Sequence, residues 1–138
     1  MKIAIINGPN LNLVGTRETD IYGGESFEHY FNKLRKKYET VDFDYYQSNI
    51  EGELINELQN AGQKMEGIIL NAGAYTHTSI AIGDTIAALK IPVVEVHISN
   101  IEAREEFRKF SHITAKCSGT IFGFGLKGYM LAVESFLK

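Results

Sequence analysis

A glutamate and a histidine stand two residues apart in the apolar run 93–98, and this pair is the first candidate for chemistry in the sequence. Side chains alternate along a strand, so Glu95 and His97 share one face while three apolar side chains occupy the other. A buried acid and imidazole are costly unless they are hydrogen-bonded. A carboxylate can fix the tautomer of a histidine and raise its basicity, which suits proton transfer. The pair indicates either an acid–base centre or a hydrogen-bonded pair that closes the end of a strand.

A long polar segment, residues 7–24, follows the apolar run 3–6 and carries an arginine and a tyrosine. Connections inside compact domains usually run to about six residues, and longer ones are often functional lids. A free tyrosine has a pKa near 10, so about one in a thousand is ionised at pH 7. A neighbouring Arg17 would favour the phenolate of Tyr22, which could then act as a base toward a carbon acid. The alternative is a tyrosine that only packs to close the loop.

Residues 71–79 form a polar turn between another apolar run and a predicted helix. Glycine lets the backbone approach a ligand closely, and the N-terminus of the following helix offers N–H donors to an anion. His77 and Asp84 are seven residues apart, a spacing that places them on one helical face. The segment matches neither the phosphate-loop pattern GxxxxGK[ST] nor the dinucleotide pattern GxGxxG. It therefore predicts a polar ligand site of another kind.

Residues 99–108 predict a polar helix with two arginines four positions apart. Arg104 and Arg108 would then share a face, and guanidinium groups suit carboxylates and hydroxyls. Ion pairing with Glu105, with Glu106 or with a neighbouring subunit is the alternative, and we assign it to Arg104 in preference to Arg108.

Apolar runs alternate with amphipathic segments five times, which is typical of an α/β domain with one parallel sheet and helices on both faces. The predicted strands are residues 3–7, 41–47, 67–70, 93–98 and 119–122. Five helices are predicted. The first begins after Ser26, the second follows a capping box of Ser48 and Glu51, and the third ends near Leu89. The last two cover residues 99–108 and 126–137. This pattern matches a flavodoxin-like three-layer sandwich with strand order 2-1-3-4-5. Strands one, three and four would then be neighbours, so the candidate groups at their ends are expected to converge.

The composition of the chain argues against several classes of protein. The chain of 138 residues suits one domain spanning 1–138, with 44% hydrophobic residues and a net charge of −3. There is no basic excess to suggest nucleic acid, and no run as long as a membrane helix. The single cysteine, Cys117, fits a reducing cytoplasm. It lacks a paired His or Cys motif, so we interpret it as a small residue near a strand.

Motifs in every part of the chain resemble the type II 3-dehydroquinate dehydratases, in the order of that family. They are Asn-Gly-Pro-Asn-Leu-Asn-Leu at 7–13, Gln-Ser-Asn-x-Glu-Gly at 47–52, Asn-Ala-Gly-Ala-Tyr-Thr-His-Thr-Ser at 71–79, Glu-Val-His-Ile-Ser-Asn at 95–100, Ala-Arg-Glu-Glu-Phe-Arg at 103–108, and Gly-x-Gly at 123–125 with Gly-Tyr at 128–129. The resemblance implies a lyase of the shikimate pathway that converts 3-dehydroquinate to 3-dehydroshikimate by anti elimination through an enolate. It implies no metal or organic cofactor, and a homododecamer built as a tetramer of trimers.

The resemblance also implies five catalytic residues. Tyr22 would remove a proton from C2 of the substrate, and Arg17 would lower the pKa of Tyr22 and stabilise developing charge. Asn10 would hold a water that stabilises the enolate. His97, oriented by Glu95, would protonate the departing C1 hydroxyl.

Substrate contacts are implied at further positions. The residues are Asn71, His77, Ile98, Ser99 and Arg108, with Asp84 reaching the site of a neighbouring subunit. Residues 14–24 would form a mobile lid. Residues 111–118 lie outside the motifs that carry the resemblance, which assigns them no catalytic residue.

Two other functions fit the same fold class. A flavodoxin-like module would bind FMN at these strand ends, but its phosphate loop is rich in Ser and Thr where this chain has Asn, Arg and Tyr. A receiver-type signalling domain needs clustered acids at the strand ends, and Asn7 stands where an acid is expected. The dehydratase is therefore the favoured hypothesis.

Overall fold

The computed structural model describes residues 1–16 and 24–138, so Arg17 and Tyr22 lie outside the described residues. Its centre is a parallel five-stranded sheet in the order β2-β1-β3-β4-β5. The strands are β1 Lys2–Asn7, β2 Asp42–Gln47, β3 Gly67–Asn71, β4 Val93–His97 and β5 Gly119–Phe122. The predicted strand order is confirmed.

Helices cover both faces of the sheet, which confirms the three-layer flavodoxin-like architecture. They are α1 Phe27–Lys37, α2 Glu51–Lys64, α3 Ile80–Ala88 and α4 Lys127–Phe136. Side chains of α1 and α4 pack against one face of the sheet, and those of α2 and α3 pack against the other. No helix in the described part of the chain is long and apolar enough to cross a membrane.

The alternation along β1 explains its apolar sequence. Ile3 and Ile5 belong to the core beneath α1 and α4, whereas Ala4 and Ile6 belong to the core beneath α2 and α3. A central parallel strand is buried on both faces and therefore carries apolar residues without a polar alternation. Such a rigid centre holds the strand ends in fixed positions.

The predicted helix over 99–108 is wrong. The chain instead forms two short 3₁₀ turns, Ile101–Ala103 and Glu106–Lys109. Arg104 and Glu105 between them are extended, with ψ of −159° and 150°. Most helical stability in proteins comes from packing an apolar face, and here Ile101 is buried while Phe107 is 59% exposed. The segment lacks such a face, so Arg104 and Arg108 do not share one helix.

Helix starts were predicted with mixed success. Ser26 caps α1 as predicted, because its hydroxyl accepts a hydrogen bond from the backbone N–H of His29. The predicted capping box of Ser48 and Glu51 is wrong, since Ile50 is the capping residue of α2. Ser48 lies two residues earlier, where its hydroxyl accepts from the N–H of Ile50 at 3.0 Å and donates to Glu53.

Candidate active site

A cleft opens at the carboxyl ends of β1, β3 and β4, the edge at which the sequence predicts convergence. Seven of the predicted site residues line it: Asn10, Asn71, His77, His97, Ile98, Ser99 and Arg108. Glu95 lies fully buried behind His97. Asp84 is exposed on α3 and does not line this cleft.

Glu95 and His97 share the sheet face that α2 and α3 cover, and they form a close pair. Oε2 of Glu95 lies 2.6 Å from Nε2 of His97. Oε1 accepts hydrogen bonds from the hydroxyls of Thr114 at 2.7 Å and Thr120 at 3.0 Å. Burial raises the pKa of Glu95, but its hydrogen bonds outweigh burial and leave that pKa below its ordinary value. Glu95 is therefore a carboxylate at neutral pH and accepts a hydrogen bond from the Nε2–H group of His97.

This hydrogen bond selects the reactive atom of His97. Since Nε2 faces the carboxylate, Nδ1 is the nitrogen left for a ligand, and it has no hydrogen-bond partner among residues 1–16 and 24–138. A histidine whose other nitrogen is fixed by a carboxylate is the arrangement that serves general acid–base catalysis. The geometry confirms that the two side chains share a strand face.

His77 ends the 3₁₀ turn Gly73–His77, and its ring lies 6.4 Å from that of His97, centroid to centroid. Its Nδ1 lies 2.7 Å from the carbonyl of Phe110, so Nδ1 carries the proton and donates it. Burial, with the nearby His97 and Arg108, lowers the pKa of His77 despite that hydrogen bond. His77 is therefore neutral at pH 7, and its Nε2 remains available to a ligand.

The expected common helical face for His77 and Asp84 is wrong. Ser79 separates the turn from α3, and its hydroxyl accepts a hydrogen bond from the N–H of Ile82 at 2.9 Å. The cap satisfies a donor of α3 that an anion would otherwise use. The two side chains thus belong to different elements.

Two glycines allow the loops after β1 and β3 to pack backbone against backbone. The N–H of Gly8 donates to the carbonyl of Asn71 at 2.7 Å, and a Cβ at Gly8 would lie 2.6 Å from the carbonyl oxygen of Ala72. Gly73 has a φ of +59° and lies against Pro9. Only glycine accommodates both the close approach and the left-handed backbone easily. The packing fixes the floor of the cleft.

Asn10 stands at the cleft in a left-handed conformation, with a φ of 67°. Its N–H donates to the side chain of Asn49 at 3.0 Å, and Gln47 donates to both Asn49 and the carbonyl of Gly8. Asparagine tolerates this backbone region better than most residues. The end of β2 therefore holds the start of the loop and leaves the exposed Asn10 amide at the cleft.

A buried network that the sequence interpretation missed supports the same floor. The hydroxyl of Tyr129 donates to Oδ1 of Asn7 at 2.8 Å and accepts from Nδ2 of Asn71 at 2.9 Å. Oδ1 of Asn71 also accepts from the N–H of Gly73 at 3.1 Å. Burial raises the pKa of Tyr129 far above its ordinary value, so it stays a phenol. Two asparagines ending adjacent predicted strands were the available signal for a shared partner.

The arginines provide positive charge on one side of the cleft, which both of them line. Nε of Arg108 lies 2.5 Å from the carboxylate of Glu105, whereas Nε of Arg104 lies 3.8 Å from it. Nη1 of Arg104 also lies 3.5 Å from the hydroxyl of Ser99. Both arginines therefore pair with Glu105, and the Arg108 contact is the shorter of these two. The assignment of ion pairing to Arg104 in preference to Arg108 stays a prediction.

Cys117 lies half-buried beside the core beneath α2 and α3. Burial, with a smaller effect of Glu95, raises the pKa of its thiol to about 12. A thiol with so high a pKa is a poor nucleophile at neutral pH. The structure therefore supports the interpretation of Cys117 as a packing residue.

The fold and the cleft together define an α/β protein with an acid–base pair and cationic side chains at its strand ends. Residues 1–137 match the family described as Dehydroquinase class II. The chain belongs to that family.

Individual relatives match the chain over all or nearly all of its length. The 3-dehydroquinate dehydratase of Fusobacterium nucleatum subsp. nucleatum is 52% identical, over 100% of this chain and 97% of that protein. The crystal structure of type II dehydroquinase from Butyrivibrio crossotus has a TM-score of 0.96 and 45% identity, over 100% of this chain and 98% of that one. The corresponding structure from Propionibacterium acnes has a TM-score of 0.93 and 38% identity, over 98% and 94%.

Proposed function

We propose that this protein is a hydro-lyase that dehydrates 3-dehydroquinate to 3-dehydroshikimate, a step of the shikimate pathway. Membership of the family supports the substrate. The observation that carries the chemistry is the buried Glu95–His97 pair, which presents one histidine nitrogen to a cleft with two arginines. The substrate is a small acid with several hydroxyls, and guanidinium, imidazole and amide groups suit such a ligand.

His97 is the general acid of this proposal. Glu95 holds the Nε2 proton, so the proton on Nδ1 of the imidazolium is the one transferred to the C1 hydroxyl. The C1–O bond then breaks and the hydroxyl leaves as water. The negative charge of Glu95 stabilises the imidazolium before the transfer.

Tyr22 and Arg17 are the base and its activator in this proposal. A phenolate at Tyr22 takes the C2 proton, and the electron pair of the C–H bond forms an enolate with the neighbouring ketone. Arg17 favours the phenolate through its positive charge. The family motifs and the spacing of these two residues support the assignment.

The remaining roles concern charge and orientation. Asn10 holds a water against the enolate oxygen, and its exposed amide makes no hydrogen bond to another residue in the described ranges. The carboxylate and hydroxyls of the substrate contact the cleft residues Asn71, His77, Ile98, Ser99 and Arg108. The elimination uses protein side chains alone, without a metal or an organic cofactor.

The assembly is part of the proposal. We place the enzyme in the cytoplasm as a homododecamer, a tetramer of trimers, in which Asp84 contacts the substrate in a neighbouring subunit. The exposure of Asp84 outside the cleft of its own chain is compatible with that role.

A single domain of residues 1–138 with a lid at 14–24 completes the proposal. The described part of that segment is anchored, because Val14 is buried in the core and Gly15 lies against Glu25. Closing lids exclude water and complete catalytic sites. If hydrogen exchange across 14–24 were the same with and without ligand, the lid assignment would be lost while the catalytic roles could stand.

The deciding experiment adds 3-dehydroquinate to chelator-treated protein and follows near-ultraviolet absorbance. The product is an enone, so absorbance should rise. A well-folded protein that produces no such signal would contradict the proposed function. Tyr22→Phe should lose turnover and retain substrate binding, whereas Tyr46→Phe on β2 should keep both. Full activity in Tyr22→Phe would remove Tyr22 as the base.

A further inference from the structure

Residues 111–118, which the sequence left without a role, cover the end of β4 on the face shared by α2 and α3. Ile113 is fully buried in the core beneath these helices. The N–H of His112 donates to the carbonyl of Thr76 at 2.9 Å. A Cβ at Gly83 of α3 would collide with the carbonyl of His112. These contacts fix the segment next to Glu95.

The hydroxyl groups of this segment form a chain with a defined direction. Oγ of Ser111 accepts from the N–H groups of Ile113 at 3.0 Å and Thr114 at 2.9 Å. Ser111 therefore directs its own proton to Oγ1 of Thr114, which lies 2.7 Å away. An ionised carboxylate can only accept, so the proton of Thr114 goes to Oε1 of Glu95.

A second hydroxyl reaches the same oxygen from β5. Thr120 pairs with Glu95 in the register of β4 and β5, and its hydroxyl donates to Oε1 at 3.0 Å. Oε1 thus has two donors, while Oε2 faces His97 at 2.6 Å. Because each of the two carboxylate oxygens has its own donors, the plane of the Glu95 carboxylate is fixed.

We propose that Thr114 and Thr120 are positioning residues for the acid step, with Ser111 orienting Thr114. Their hydroxyls hold Glu95 in the orientation that keeps the proton of His97 on Nε2 and leaves Nδ1 to the cleft. Neither threonine lines the cleft, so they act on the substrate only through Glu95 and His97. The catalytic part of this inference depends on the proposed function.

Removing the hydroxyl of Thr114 or of Thr120 should change the apparent pKa of the Glu95–His97 pair. The hydroxyls stabilise the ionised carboxylate, so without one of them the deprotonated state of the coupled pair is less favourable. The apparent pKa of the pair then rises. Within residues 1–16 and 24–138, the other charged or titratable groups near the pair include His77 in the turn after β3, Cys117 before β5, Arg108 beside His77, and Arg104 at the same cleft.

The kinetic test compares Thr114→Val and Thr120→Val with Thr114→Ser and Thr120→Ser. Valine preserves shape without a hydroxyl, and serine restores the hydroxyl. Each valine variant should lose about tenfold in kcat, the scale of one hydrogen bond to a charged group, with KM within about twofold. The serine variants should recover most of the loss. Equal losses in valine and serine variants would show that only packing matters and would overturn the proposal.

The second measurement does not need the substrate. Nitrogen chemical shifts of ¹⁵N-labelled histidine report the tautomer and titration of His97, with His77 as an internal control. The valine variants should raise the apparent pKa of the pair, because each loses a donor that offsets the negative charge of Glu95. An unchanged His97 titration would overturn the inference in a protein with full dehydratase activity. A raised titration in a protein without that activity would instead sink the proposed function alone.

The choice of variants also separates the loss of a hydroxyl from a failure to fold. Thr114 is exposed, so its replacement by valine leaves the core intact. Ser111→Ala removes the donor to Thr114 without touching β5 and should give a smaller pKa rise in the same direction. No pKa change in any folded variant of the three positions would refute the positioning role.

Discussion

Two buried clusters of polar residues lie at the same edge of the sheet, one neutral and one charged, and they differ in how their hydrogen bonds are completed within the described part of the chain. The neutral cluster is Asn7, Asn71 and Tyr129, and the charged pair is Glu95 and His97. All five side chains are at most 5% exposed. Their difference therefore does not come from the extent of burial.

The difference lies in which atoms have partners. In the neutral cluster the Tyr129 hydroxyl both donates and accepts within the protein, and burial keeps it un-ionised. In the charged pair the Glu95 carboxylate has three donors, while Nδ1 of His97 has no partner in the described part of the chain. A saturated buried group stabilises the fold, whereas one open atom beside a fixed charge can react with a ligand.

The strongest test of this comparison removes the open atom. His97→Asn should lower kcat by about 10²–10⁴-fold, the usual contribution of a general acid or base. Enone formation measured over a range of substrate concentrations would give kcat and KM separately. His29→Asn offers a matched control, because His29 is 65% exposed on α1. A similar loss in both variants, or full activity in His97→Asn, would remove the functional distinction between the pair and the cluster.

The next largest effect concerns the neutral cluster. Tyr129→Phe leaves Oδ1 of Asn7 and Nδ2 of Asn71 without the hydroxyl that they share, so the free energy of unfolding should fall by about 2–4 kcal/mol. Urea denaturation at a fixed protein concentration measures this change. The folded variant should keep kcat within several-fold, since the hydroxyl does not face the cleft.

Tyr45→Phe is the control for that measurement. The Tyr45 hydroxyl lies 3.5 Å from Nδ2 of Asn7, and the residue is 37% exposed. Its loss should cost less than about 1 kcal/mol. If Tyr129→Phe were no less stable than Tyr45→Phe, the cluster would not be the structural element that its geometry indicates.

The fold was predictable because periodic patterns determined it. The alternation of apolar runs and amphipathic segments predicted the α/β class, and the strand order was inferred from that class. The spacing of Glu95 and His97 predicted their common face. Local sequence signals predicted secondary structure less well in segments whose conformation depends on tertiary packing. The segment 99–108 contains good helix-forming residues, yet it lacks an apolar face to bury and forms two 3₁₀ turns.

Partners distant in the chain were harder to predict than the site residues themselves. Thr114 and Thr120 contact Glu95 across 19 and 25 residues, and Tyr129 contacts Asn7 across 122. A single sequence shows which residues can form hydrogen bonds, but only the packed structure shows which of them meet. The prediction therefore found the groups at the cleft and Glu95 behind His97, and missed the hydroxyls of Thr114, Thr120 and Tyr129.

The smallest predicted effect concerns His77. Like the neutral cluster it has a nitrogen bonded within the protein, and like His97 it also lines the cleft. Its Nδ1 is satisfied by the Phe110 carbonyl, and burial lowers its pKa below the ordinary value near 6.5. The unfolded chain therefore binds a proton more readily than the folded one. The contribution of His77 to stability should be complete above pH 6.5 and should decline as the pH falls toward its folded pKa.

Denaturation of the wild type and His77→Gln between pH 5 and pH 8 measures that contribution as a difference in slope. Glutamine can still donate to the Phe110 carbonyl but does not titrate. The free energy of unfolding of the wild type should therefore fall more steeply below pH 6.5 than that of the variant. Parallel curves would mean that His77 titrates as in the unfolded chain. In that case its ring would be hydrated like a surface histidine, and its place among the substrate contacts would need another basis than a neutral, partly buried imidazole.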